Sequence, residues 1–170
     1  MTTISRVGPN VTFSVFRFLA DTTYTVGTDT KTLVQFFGVE IKQAYPDDLT
    51  TITRSLLALS EPDEVFEDLK FYGDPAQEDV ITLSIYGFVV GQGSDVANKK
   101  YRDRLANDLY YLFSKIGADE GITYYEHASK AVLGEIEVGS VRLRMLPSNV
   151  PEIDADRYRF VLDVAFSVSS

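Results

Sequence analysis

"DVITLSIYGFVVGQGSDVANKKYRDRLANDLYYLFSKIG", residues 79–117, decides the fold. Its first part alternates. Ile81, Leu83, Ile85 and Val89 fall on one side and Thr82, Ser84, Tyr86 and Phe88 on the other, the period-two pattern of a strand buried on at least one face. After the Gly91-Gln92-Gly93 turn the period changes. Ala97, Tyr101, Leu105, Leu109, Leu112 and Ile116 recur at three- and four-residue steps, which predicts one long amphipathic helix over about residues 95–116. Ser94 or Asp95 is placed to cap its start and Gly117 to end it.

A strand, a Gly-x-Gly turn and a helix also open a dinucleotide-binding loop. The third glycine of that fingerprint is replaced here by Val96, and Asp95 puts a carboxylate where the phosphate would sit. Gly-Lys-Ser/Thr is missing too, so the loop is read as a turn and a cap.

Downstream, "GITYYEHASKAVLGEIEVGSVRLRMLP" (121–147) reads as a hairpin with turn signals at Gly134 and Gly139. The chain finishes in "RYRFVLDVAFSVSS" (157–170), where Tyr158, Phe160, Leu162, Val164, Phe166 and Val168 alternate. A strand of that length must be tied into a sheet or it would fray. The second half is therefore β–α–β–β, an α+β layer with a mainly antiparallel sheet packed by one long helix.

Upstream, "EPDEVFEDLKFYGDPAQED" (61–79) reads as an acidic surface loop. The N-terminal part is harder to read. "NVTFSVFRFL" suggests a short helix capped at Asn10 or Thr12. "TTYTVGTDTKT" favours strands or an extended hairpin around Gly27, and the second half of "LTTITRSLLALS" favours a strand. The expectation is a single domain over 1–170, with an extended arm or loop within 20–50 and the acidic loop at 61–79.

The chain has 170 residues, 45% of them hydrophobic, with 10 Tyr and 11 Phe, enough for a real core. No run of about 18 apolar residues predicts a membrane span, and no signal-peptide layout opens the sequence. The absence of Cys removes disulfide and thiolate chemistry and fits a reducing compartment. A net charge of −9 argues against counterion-release binding to DNA as the main role.

No residue pattern selects an enzyme. His127 is the sole histidine, and no Gly-x-Ser-x-Gly surrounds a serine. A packed or exposed neutral histidine is the default. No metal-ligand spacing occurs, no cofactor is expected, and nothing selects a carboxylate pair for glycoside hydrolysis.

One charge pattern calls for a cause. Lys99, Lys100, Arg102 and Arg104 crowd the first turns of the helix, where the dipole disfavours cations by about 0.3–1 kcal/mol each. Glu64, Glu67 and Asp68, with Glu61, Asp63, Asp74, Glu78 and Asp79, concentrate acid in the preceding segment. Either the two patches balance each other within one subunit, or they meet head to tail between subunits, a contact that closes into a ring when the rotation permits.

The order of these features, carried by "DVITLSIYGFVVGQGSDVANKKYRDRLANDLYYLFSKIG" and "RYRFVLDVAFSVSS", resembles the tail terminator (tail-completion) proteins of tailed bacteriophages. The resemblance covers a little over a third of the chain and is one of pattern, without an invariant motif. That family typically starts with a clear helix. The resemblance implies a non-enzymatic virion protein, assembled in the host cytoplasm. It would form a homo-hexameric ring at the head-proximal end of the tail tube, stop tube polymerisation and dock to the head–tail connector. DNA would pass through the lumen without specific binding, helped by like charge. Another neck, sheath-terminating or minor tail protein would show similar features. The alternative of a different class is a small cytoplasmic α+β enzyme or ligand-binding domain.

Overall fold

The two best alternating stretches become neighbouring central strands. The computed structural model describes residues 6–45, 49, 52–62, 78–146 and 158–169. In chain order the elements are α1 (Val7–Asp21), β1 (Thr23–Val26), β2 (Asp29–Thr32), α2 (Leu33–Phe37), β3 (Glu40–Gln43), β4 (Leu56–Ser60), β5 (Glu78–Val89), α3 (Asp95–Tyr111), β6 (Ile122–Tyr125), β7 (Val132–Leu146) and β8 (Tyr158–Ser169). Helix α3 runs on through a π-helical stretch, Leu112–Gly117, and a last turn, Ala118–Glu120.

Six strands form one sheet in the order β3-β4-β5-β8-β7-β6. The β3–β4 pair is parallel and the other pairs are antiparallel. This is the α+β architecture the periodicities predict, with a mainly antiparallel sheet. β5 begins at Glu78, so the last two residues of the stretch read as an acidic loop belong to a strand. β8 pairs along its whole length with β5, from Val89↔Tyr158 to Glu78↔Ser169, which is why the C-terminal alternation persists.

The apolar faces of these strands meet two helices, not one. Leu83, Ile85, Leu162, Val164 and Phe166 share one core with Leu105, Leu109, Leu112 and Phe113 of α3 and its extension, and α1, lying mainly along β6 and β3, adds Val11, Val15 and Leu19 to it. The buried face of α3 is turned slightly from the expected stripe. Asn98, Arg102 and Ala106 are buried, whereas Ala97, Tyr101 and Ile116 are only half-buried. On the opposite sheet face Ile52, Leu56, Ala58 and Phe88 make a smaller cluster where the chain before β4 folds across.

Two local expectations are corrected. α1 starts at Val7, with Asn10 and Thr12 as buried interior residues and not caps. Gly117 does not end the helix. It keeps right-handed helical dihedrals and lies buried, because a Cβ there would come within 3.2 Å of Val138 Cγ2. The chain leaves the helix at Gly121, with φ 74°. The stretch "LVQFF" is a one-turn helix fixed by a capping box, Thr32 with Gln35, and closed by left-handed Gly38. The Thr-rich hairpin forms as expected, turning at Gly27.

Candidate functional site

The glycine turn before α3 is a completed cap. Ser94 Oγ accepts from Ala97 N at 3.1 Å, and Asn98 Oδ1 accepts from Gln92 N at 3.0 Å. The backbone donors of Gln92 and Ala97 are thereby used by the chain itself, and Gly91 and Gly93 supply the positive φ of the turn.

His127 is a brace. Asn10 Oδ1 accepts from both the His127 backbone N–H and ring Nδ1, each at 3.0 Å. Because the acceptor is an amide oxygen, the ring proton resides on Nδ1. Four residues on, Ser14 Oγ accepts from Tyr125 N at 2.8 Å and donates to the Asn10 carbonyl at 2.7 Å. The polar side of α1 is thus fastened to β6 and the turn after it. Glu126 and Ser129 lie in the same turn, but their bonds hold its backbone. Glu126 Oε2 accepts from Ser129 N, which holds that carboxyl below the usual glutamate range. Ser129 Oγ accepts from Ala131 N at 3.3 Å and does not engage the imidazole.

Beside this brace lies an open cavity of about 550 Å³, lined in part by Phe13, Tyr45, Glu61, His127 and Lys130. Lys130 sits 3.9 Å from the Phe13 ring centroid and donates to the His127 carbonyl. Its charge is already engaged within the wall.

The cations at the start of α3 separate into two kinds. Lys99, Lys100 and Arg104 are exposed and have no ion-pair partner among the described residues. Arg102 turns inward, with its side chain 10% exposed, its guanidinium 3.0 Å from Asp103 and 5.4 Å from the Tyr158 ring centroid. Glu64, Glu67 and Asp68 lie outside the described residues, so their position relative to these cations is not described.

Two features escaped the sequence reading. Tyr24, at the base of the β1–β2 hairpin, donates to Asp108 Oδ2 at 2.7 Å and packs on Phe36. Burial first, and the Asp108 carboxylate second, push its phenol pKa well above the ordinary range. On the sheet face away from the helices, Asp163 accepts from Ser84 Oγ at 2.6 Å and pairs with Arg144 at 2.9 Å, bridging three strands. Both are cross-strand or cross-element pairs whose partners are far apart in sequence.

No protein-family model matches the chain, and no curated protein matches it in sequence. Solved chains do match in fold, among them one from the virion of a native gene transfer agent particle, with a TM-score of 0.53 and 13% identity, over 96% of this chain and 98% of that one. At that identity the likeness is one of fold, and it spans both chains almost end to end.

Proposed function

We propose that this chain is a structural component of a phage-like virion, and within that class a tail terminator. It forms a ring, a hexamer, at the head-proximal end of the tail tube, stops tube growth and presents the surface that docks to the head–tail connector. The observation that carries this reading is the near-complete fold likeness to a chain of a gene transfer agent virion. It joins the order of elements noted in the sequence, to which the structure adds an N-terminal helix of 15 residues where the sequence suggested a short one. The polar groups beside the cavity are engaged in holding the turn, which favours a structural role over catalysis.

Lys99, Lys100 and Arg104 are proposed to meet Glu64, Glu67 and Asp68 of the neighbouring subunit, with Arg102 anchoring the helix start from inside. An exposed pair contributes only about 0.2–1 kcal/mol, but the contact repeats around a ring. Changing Lys99, Lys100 and Arg104 to Glu should dissociate the oligomer at moderate salt, and changing the three acids to Lys in the same chain should restore it. A ring indifferent to both sets of changes places the subunit contact elsewhere.

The terminator role is tested by polymerising tail-tube protein from the same source with and without this chain. The expected result is shorter tubes carrying the chain at one end. Unchanged tube lengths with no bound chain would overturn it.

A further inference from the structure

We infer that the outer edge of β7 over Val141–Leu146 receives β3 of a second copy of this chain, so that successive sheets join edge to edge. The inference rests on the ring-forming reading above and names a contact surface for it.

β7 is longer than its neighbour can cover. On its outer side β6 pairs only with Val132–Ile136, while on its inner side β8 pairs with Ile136–Leu146. The register breaks between Val138 and Val141 and is regular from there on. Among the described residues, no strand lies on the outer side of Val141–Leu146. An edge of this kind exposes a row of backbone donors and acceptors, a template for another strand. Its side chains alternate as a paired strand requires. Val141, Leu143 and Met145 share the helix side, and Met145 is still 41% exposed. Arg142 and Arg144 point to the other side.

The far edge of the same sheet fits this template. β3 pairs in parallel with β4 on its inner side and has no strand on its outer side among the described residues. The registers link the two edges directly. One row runs Glu40–Leu56–Phe88–Arg159–Leu146, and another runs Gln43–Leu59–Ile85–Leu162–Leu143. The open edges therefore occupy the same rows of the sheet. Their strands run in opposite directions, because β3 follows β4, which opposes β5, and β7 runs with β5. A second copy moved sideways, without being inverted, brings its β3 antiparallel to β7. Both helix layers stay on one side, and Ile41 comes beside Met145.

In this register Glu40 comes opposite Leu146 and Lys42 opposite Arg144. Each cation already has its own counter-charge, Lys42 with Glu40 at 3.6 Å and Arg144 with Asp163 at 2.9 Å, so the contact rests on backbone pairing and on the apolar Ile41–Met145 side. Because the two edges lie in the same rows, the next copy sits at the same height. A head-to-tail contact without an axial step closes into a ring when the rotation between copies permits.

The chain has no cysteine, so introduced thiols give a clean test. One variant carries Ile41→Cys with Met145→Cys and a second carries Gln43→Cys with Met145→Cys, which covers two registers. After mild oxidation, non-reducing gels should show a ladder of covalent oligomers from at least one variant. Chains with a single cysteine should give none beyond a trace of dimer, as should a control pair at exposed Val80 and Val96. Light scattering on the unmodified chain is measured in parallel. If that chain assembles and neither edge pair cross-links above the control, this inference is wrong while the ring reading stands. If it stays a single chain at every concentration, the ring reading fails and the edge contact fails with it.

Discussion

Replacing Gly87 by Ala should damage this protein far more than a one-carbon change ordinarily does. Gly87 sits in β5 directly opposite Phe160 of β8, and both face the helices. A Cβ at residue 87 would lie 2.1 Å from Phe160 Cε1, 2.3 Å from Cζ and 2.6 Å from Cδ1. Ordinary carbon contact begins at about 3.5 Å, so the ring must retreat by more than about 1 Å. It has nowhere open to go, since Phe160 is 0% exposed. Overpacking of a filled core costs roughly 1–3 kcal/mol, and a fully buried rigid ring puts the expected cost near the top, about 3 kcal/mol. For a chain of this size that is roughly 6–12 °C in Tm. Urea denaturation of Gly87→Ala, Phe160→Leu and the double variant supplies the decisive cycle. The smaller leucine vacates the space the new methyl needs, so the double variant should lose at least about 1 kcal/mol less than the sum of the two singles. A Gly87→Ala chain within about 0.5 kcal/mol of the parent, or strictly additive losses, would refute the proposed ring-on-glycine contact.

Asn10→Ala should cost about 1–3 kcal/mol in urea denaturation, because two His127 donors lose their acceptor, whereas Asn10→Asp, which keeps an oxygen there, should lose less. Tyr24→Phe should remove a pH dependence at the alkaline end. The folded-state phenol titrates above its unfolded value, so its contribution is whole below about pH 10 and fades as pH rises beyond that value. Thermal melts across that range should fall less steeply for the variant, and parallel curves would contradict the assigned bond to Asp108.

What was legible in the sequence tracks the strength of local periodicity. β5, α3 and β8 carry long uninterrupted patterns, and each formed where the pattern placed it. The parallel β3–β4 pair was not legible, because its register depends on a crossover between two short segments. Asn10 and Thr12 misled as cap candidates. Both are buried within α1, where Thr12 Oγ1 donates to the Gly8 carbonyl and Asn10 accepts from the His127 backbone after β6. Gly117 misled in the opposite way, since a glycine at a helix end ordinarily takes a left-handed turn, and this one is needed for close approach to Val138. Arg102 lies three residues before Leu105 and four before Ala106, so its place on the buried face was readable from spacing, but the surrounding cations masked it. The Ser84–Asp163–Arg144 bridge left no local signal at all, being assembled from three strands.

The central claim is that this chain is built to associate with copies of itself as part of a virion. Size-exclusion chromatography with light scattering, over a wide concentration range and without added ligand, tests it most directly. The account predicts a closed oligomer, a hexamer, or assembly that rises with concentration and weakens as salt is added, since exposed charges are screened over about 8–10 Å at physiological ionic strength. A single chain that stays monomeric at every concentration and salt would contradict it.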